Sequence, residues 1–247
     1  MIEKNNYFIF NPRKEHKINE QVRLVIKDEM EKEFVHFKVI DPGEEYHLKR
    51  DEIIKKHQMF RYKYQRKIEG KWTDYIEYKF LYDEQKNRHG LKYIYYPPIG
   101  NENNEYLIVV FQGIKEVDRK NYYNYIKTLA NVNVSKLYIK DDYGSDELTQ
   151  TSYYLGPNKS LKIANKVDKL IEKTRKKLKI KKENVICAGS SKGGFASLYF
   201  AYRMGYGYVV SGGPQIRLGT YLTKGKIDGD QLGILPPIMK YLTGEIT

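Results

Sequence analysis

Residues 184–204 read Asn184-Val185-Ile186-Cys187-Ala188-Gly189-Ser190-Ser191-Lys192-Gly193-Gly194-Phe195-Ala196-Ser197-Leu198-Tyr199-Phe200-Ala201-Tyr202-Arg203-Met204, and their reading decides the fold. A short apolar run of strand length comes first, and a helix of small and apolar residues follows from Gly194 to Met204. Between them Gly189-x-Ser191-x-Gly193 marks a turn sharp enough to strain its central residue, with small flanking residues so that strand and helix approach closely. Such a turn lifts the Ser191 hydroxyl above the carboxyl edge of a sheet, at a helix N-terminus where N–H groups favour a developing oxyanion. The strings of a phosphate-binding P-loop and of a dinucleotide fingerprint are both absent.

Working outward, the run Tyr106–Phe111 and the segment Lys136–Lys140 read as buried strands, and Tyr208–Ser211 as a fourth. Residues 118–130 suit a helix. A second, amphipathic helix carries Ile163, Ala164, Val167, Leu170, Ile171 and Leu178 on one face, with Asn158 or Ser160 to cap it. Strands alternating with helices imply an α/β class with a mostly parallel sheet. Residues 1–96 differ: Val22–Ile26, Phe34–Ile40 and Tyr75–Phe80 are strand-like, with turns at Asp41-Pro42-Gly43, Glu69-Gly70 and His89-Gly90. The expected organisation is a small β-rich, sandwich-like domain over 1–96 followed by an α/β domain over 97–247.

Composition narrows the class. The 247 residues include 34 aromatics, 24 of them tyrosine, which argues for a packed chain rather than a disordered one. No apolar run reaches the roughly 18–20 residues of a membrane span, and the charged N-terminus does not suit a signal peptide, so a cytoplasmic protein is expected. The single cysteine, Cys187, excludes an internal disulfide and a cysteine-based zinc site; no metal and no cofactor is expected. The net charge of +13 is concentrated: residues 161–183 hold 10 basic and 3 acidic residues. A solvated helix face explains that segment, and its aromatics are not interleaved with its charges as nucleic-acid binding requires.

The chain resembles the α/β-hydrolase superfamily over about residues 91–220, through VVFQG (109–113), IKDDYG (139–144), VICAGSSKGGFASLYFAYRMG (185–205) and VVSGGPQ (209–215). The same stretches are similar to bacterial hydrolase-like proteins of capsular polysaccharide biosynthesis and accessory Sec secretion. The resemblance implies Ser191 as nucleophile in a nucleophile elbow, the Lys192 N–H as one oxyanion donor, and Gly113 or Ile114 as the other. It also implies an esterase or acyltransferase acting on an acylated glycan or other cell-envelope ester, with protein partners in a cell-surface assembly. The Lys192 side chain reads as a solvated lysine that could also draw an anionic substrate.

The sequence departs from the family pattern in one respect. Its five histidines, His16, His36, His47, His57 and His89, all precede Ser191, whereas the family places its catalytic histidine after the last strand. Three explanations stand open: a chain that stops short of the closing strands, a catalytically silent subunit of a surface-polysaccharide or secretion assembly, or a histidine such as His89 or His57 reaching the site from the β-rich region. Of the acids, Asp228, Asp230 and Glu245 follow Ser191, while Asp141, Asp142 and Asp146 follow the second core strand and suit a turn, with binding a cation or orienting a substrate hydroxyl as the alternative.

Overall fold

The computed structural model describes residues 7–29, 32–54, 59–98, 104–114, 123–143, 151–223 and 235–244. They divide into two compact units. The first comprises β1 (Tyr7–Phe10), α1 (Pro12–His16), β2 (Val22–Asp28), β3 (Phe34–Ile40), β4 (Tyr46–Lys49), α2 (Arg50–Ile54), β5 (Phe60–Ile68), β6 (Lys71–Asp74) and β7 (Lys79–Leu81). The short α1 starts where the sequence dictates. Asn11 accepts from Lys14 N at 2.9 Å, Glu15 reaches back to Asn11 N at 2.6 Å, and Pro12 gives up no useful N–H at the first helical position. Antiparallel pairing orders a sheet β3-β2-β5-β6, with β7 also on β5 and β1 paired to β4. Alternation puts Val22, Leu24 and Ile26 of β2 on one face, where they pack with Phe8, Phe10, Leu48, Phe60 and Tyr64.

The second unit contains β8 (Gln85–Lys86), β9 (Lys92–Tyr96), β10 (Leu107–Phe111), β11 (Ser135–Ile139), α3 (Lys162–Lys177), a 3-10 turn at Lys182–Asn184, β12 (Val185–Ser190), α4 (Lys192–Met204), β13 (Tyr208–Gly212), α5 (Leu218–Thr223) and α6 (Leu235–Thr243). Its sheet runs β13-β12-β10-β11-β9-β8, parallel from β13 to β11 and antiparallel from β9 outward. Every residue of β10 and β11 is buried, as the uninterrupted apolar character of β10 requires; β11 buries Ser135 and Lys136 along with Leu137, Tyr138 and Ile139. Val109, Phe111, Leu137, Val185 and Cys187 face α3, through Ala164, Val167 and Ile171, and α4, through Ala196 and Phe200. Burial pushes the Cys187 thiol up to about 12.

Four expectations need correction. The boundary falls at Asp83/Glu84 rather than at 96/97, because β8 and β9 extend the α/β sheet and residues 126–133 cluster with the first unit. Of the strand expected at 75–80 only Lys79 and Phe80 are extended, in β7; residues 75–78 form a bend and loop after β6. Within 118–130 the described residues from Asn124 form turns, not a helix; Tyr125 adopts φ 64°, which breaks helical geometry. Neither Asn158 nor Ser160 caps α3. Leu161 holds the cap position without a side-chain hydrogen bond, and Asn158 is itself left-handed at φ 52°.

Candidate functional site

The carboxyl ends of β10, β11 and β12 bring together the loop after Phe111, the Asp141 turn and the start of α4, the edge at which open parallel sheets build sites. Ser191 joins β12 to α4 with φ 53° and ψ −120°, a strained conformation for a side-chain-bearing residue. Its N–H donates to Gly212 O at 2.8 Å and its carbonyl accepts from Phe195 N at 3.0 Å. The flanking glycines are required by contact. A Cβ on Gly189 would overlap the Gly193 carbonyl, and one on Gly193 would overlap the Phe111 carbonyl. Strand, turn and helix therefore touch backbone to backbone.

Around Ser191 Oγ the donor is Gln215, whose Nε2 lies 3.0 Å away, while Gln215 Oε1 accepts from Tyr153 OH at 2.6 Å. Gln215 follows β13 in the loop through Gly213, which turns at φ 49°. Neighbouring Ser190 takes a 2.5 Å bond from Tyr125 OH. Of the three backbone groups singled out from sequence, the Lys192 N–H opens the first turn of α4, where no intrahelical acceptor exists. The Gly113 N–H is engaged by Asn124 Oδ1 at 3.0 Å. Ile114 N–H has no hydrogen-bond partner among the described residues, and the Ile114 side chain packs with Tyr153, Phe195 and the apolar side of α5 and α6.

The Lys192 side chain overturns its sequence reading. It is 1% exposed, with Nζ 3.1 Å from Asp141 Oδ2, 3.0 Å from Thr151 Oγ1 and 5.2 Å from the centre of the Tyr154 ring. Burial lowers the pKa of its ammonium, opposed by the Asp141 carboxylate. Asp141 likewise is no simple turn residue. Its carboxylate also accepts from Thr151 Oγ1 (2.7 Å), Ser152 Oγ (2.8 Å), and the N–H groups of Ser152 (3.0 Å) and Tyr154 (3.3 Å). These bonds hold Tyr153 and Tyr154 left-handed, at φ 51° and 59°. Tyr154, fully buried, then donates to Ile139 O at 2.9 Å and accepts from Gln112 N at 2.6 Å. One buried ion pair thus links the α4 start, the end of β10 and, through Tyr153, the Gln215 that meets Ser191. Sequence reasoning missed Thr151, Tyr153, Tyr154 and Gln215; only the run of hydrogen-bonding residues Thr151-Ser152-Tyr153-Tyr154 hinted at a role.

The remaining candidates are placed elsewhere. Asp142 pairs with Lys92 at 2.5 Å. His89 sits in the β8–β9 turn; β9 is three strand spacings, about 14 Å, from β12, so His89 does not reach Ser191. Within the first unit, His16 packs against Tyr64, His36 bonds Tyr46 at 3.0 Å and His47 bonds Glu45 at 2.8 Å. His57, Asp146, Asp228, Asp230 and Glu245 lie outside the described residues.

No protein-family model matches the sequence, and no curated protein matches it. Solved structures do. A capsule O-acetyltransferase of Neisseria meningitidis serogroup A is similar at TM-score 0.51 and 21% identity, over 73% of this chain and 63% of that one. The glycosylation-associated protein complex of Streptococcus agalactiae is similar at TM-score 0.53 and 15% identity, over 98% of this chain and 46% of that one. A fluorophosphonate-binding serine hydrolase of Staphylococcus aureus gives TM-score 0.42 at 11% identity, over 65% of this chain and 70% of that one. The chain therefore spans less than two thirds of the length of the first two. With its parallel core, its helices on the sheet and its serine at the β12–α4 turn, the chain has an α/β-hydrolase-like fold, preceded in sequence by a small β-rich unit.

Proposed function

We propose that the chain is a serine-dependent acyl-transfer domain, an esterase or acyltransferase acting on an acylated glycan or another cell-envelope ester. The observation that carries this reading is the strained Ser191 at the tip of β12, ahead of the free first turn of α4. Ser191 is the nucleophile of an elbow: Oγ attacks the ester carbonyl, the C–O bond forms, and the oxyanion is met by the Lys192 N–H and by Ile114 N–H. Gly113 serves only if Asn124 gives up its bond. Collapse expels the alcohol, which leaves with the proton taken from Oγ, and water or a sugar hydroxyl then resolves the acyl-serine. The apolar side chains of Ile114, Phe195 and Leu222 give the acyl group a dry wall. The similarity to a capsule O-acetyltransferase supports the glycan ester as substrate class.

The test is labelling of the purified chain with a fluorophosphonate and hydrolysis of p-nitrophenyl acetate, both of which Ser191→Ala should abolish. Labelling that persists at full stoichiometry in Ser191→Ala ends the reading.

One observation favours a second reading, a catalytically silent subunit of a surface-polysaccharide or secretion assembly. Ser191 Oγ meets an amide, Gln215, and no histidine contacts it among the described residues. A serine hydroxyl without a base loses several orders of magnitude in rate. On that reading wild-type chain neither labels nor turns over ester, and Ser191→Ala leaves its biological role intact.

A further inference from the structure

The first unit carries, on the face opposite Val22, Leu24 and Ile26, a side-chain array that the chemistry at Ser191 does not use. Register places it there: Arg23 pairs with Val39 and Gln65, Val25 with Phe37 and Lys63, Gln65 with Asp74, and Lys67 with Trp72, and residues paired across antiparallel strands share a face. The Arg23 guanidinium lies 5.5 Å from the Phe37 ring and 4.9 Å from Trp72, and its Nε and Nη2 both donate to Gln65 Oε1, at 2.9 and 2.6 Å. Gln65 Nε2 donates to Asp74 Oδ1 at 2.7 Å, and Lys63 Nζ to Asp74 Oδ2 at 2.6 Å. Phe34 leans on Phe37 at 5.4 Å, and these two rings are 54% and 52% exposed.

Rings, guanidinium, amide and carboxylate thus hold one another in place beside the exposed Phe34 and Phe37, while Val25 and Lys63 are buried and the Tyr78 ring lies 4.4 Å from Lys63 Nζ, so little side-chain freedom remains to be lost when a ligand arrives. The charges define that ligand. Asp74 is neutralised by Lys63, and Arg61 stands 3.7 Å from Glu29. Arg23, Lys27 and Lys67 have no carboxylate partner among the described residues, leaving a modest cationic surplus. A single-stranded nucleic acid needs an unbroken track of unpaired cations, and a carboxylate in the middle of the track opposes it. Sparse negative charge, many hydroxyls and flat apolar ring faces fit better. We propose that this face binds a carboxylate-bearing oligosaccharide, its sugar rings against Phe34 and Phe37, its hydroxyls on Gln65 and Asp74, and its carboxylate on the fork of Arg23 flanked by Lys27 and Lys67.

Trp72 is the chain's one tryptophan, so its emission reports this face alone. The intact chain is titrated with oligogalacturonate, with its fully methyl-esterified form and with oligo(dT), following Trp72 fluorescence and calorimetric heat. The expected result is saturable binding of oligogalacturonate, weakened roughly tenfold by esterification or by Arg23→Gln, since each removes a charge-assisted contact. Lys67→Glu, on an exposed side chain, should weaken it at least about threefold and guards against misfolding of the Arg23 variant. Ser191→Ala should bind as wild type does, so this site stands or falls separately from the acyl-transfer reading. Absence of binding, equal binding of the esterified form, or tighter binding of oligo(dT) overturns the proposal.

Discussion

Ser191 owes its position to what its neighbours lack. Because a Cβ at Gly193 would overlap the Phe111 carbonyl, Gly193→Ala must push α4 away from β10, and we expect about 3 kcal/mol of destabilisation, seen as a lower denaturant midpoint with unchanged slope. A midpoint within experimental error of wild type would show that the backbone contact is relaxed. Gln215 is the more informative residue for chemistry. Its amide donates to Ser191 Oγ and so withholds a lone pair from an incoming carbonyl. Gln215→Ala should therefore raise the second-order rate of fluorophosphonate labelling several-fold, whereas a fall would make Gln215 a positioning residue for the hydroxyl. The glycine spacing was legible in the sequence because the demand is local and steric. Gln215 was not, since a glutamine 24 positions away announces no partner.

The elements meet through the Asp141–Lys192 pair, which ties the end of β11 to the first turn of α4. Removing one member of a buried pair strands the other, so Asp141→Ala should cost about 3–5 kcal/mol and release the left-handed Tyr153 and Tyr154. Lys192→Met, which keeps the stem and leaves Asp141 its other donors, should cost less. The double variant should fall well short of the sum of the two, as urea unfolding of all three would reveal; strict additivity would mean that the residues are not coupled. Such a pair hides in a sequence, because charged residues 51 positions apart look like solvated ones until the fold brings them together. The central strands were legible for the opposite reason: β10 is apolar at every position, the pattern of a strand covered on both faces. Tyr208, Val209 and Val210 of β13 are apolar too, yet among the described residues β13 ends the sheet, with Tyr208 and Val210 on one face and Val209 on the other exposed. An uncharged edge of this kind favours strand addition, so Val210→Lys should reduce concentration-dependent light scattering.

At the level of the whole molecule the α/β class was readable from alternating patterns. The division between units was not, because β8 and β9 look like the β-rich sequence before them and join the parallel sheet only through antiparallel pairing of β9 with β11, with β8 on β9. Lys136, in β11, gives the folded chain a pH signature. Burial pushes its ammonium down to about 8, below the ordinary value near 10.4. Between these values the unfolded chain binds more protons, so this group makes stability rise with pH, and below about 8 it contributes a constant cost. Lys136→Met should accordingly raise Tm at pH 7 by more than at pH 10, and an equal gain at both would assign the effect to packing. Cys187, enclosed between the sheet and its helices, has a further consequence for the experimenter. Its thiol is both shielded and held protonated to about pH 12, so thiol–disulfide exchange with a chromogenic disulfide, which forms a mixed disulfide and expels the chromogenic thiolate, must wait for the core to open. The rate of that reaction is a built-in clock for global unfolding, and any cysteine introduced on the surface becomes a selective handle with the native residue left in place.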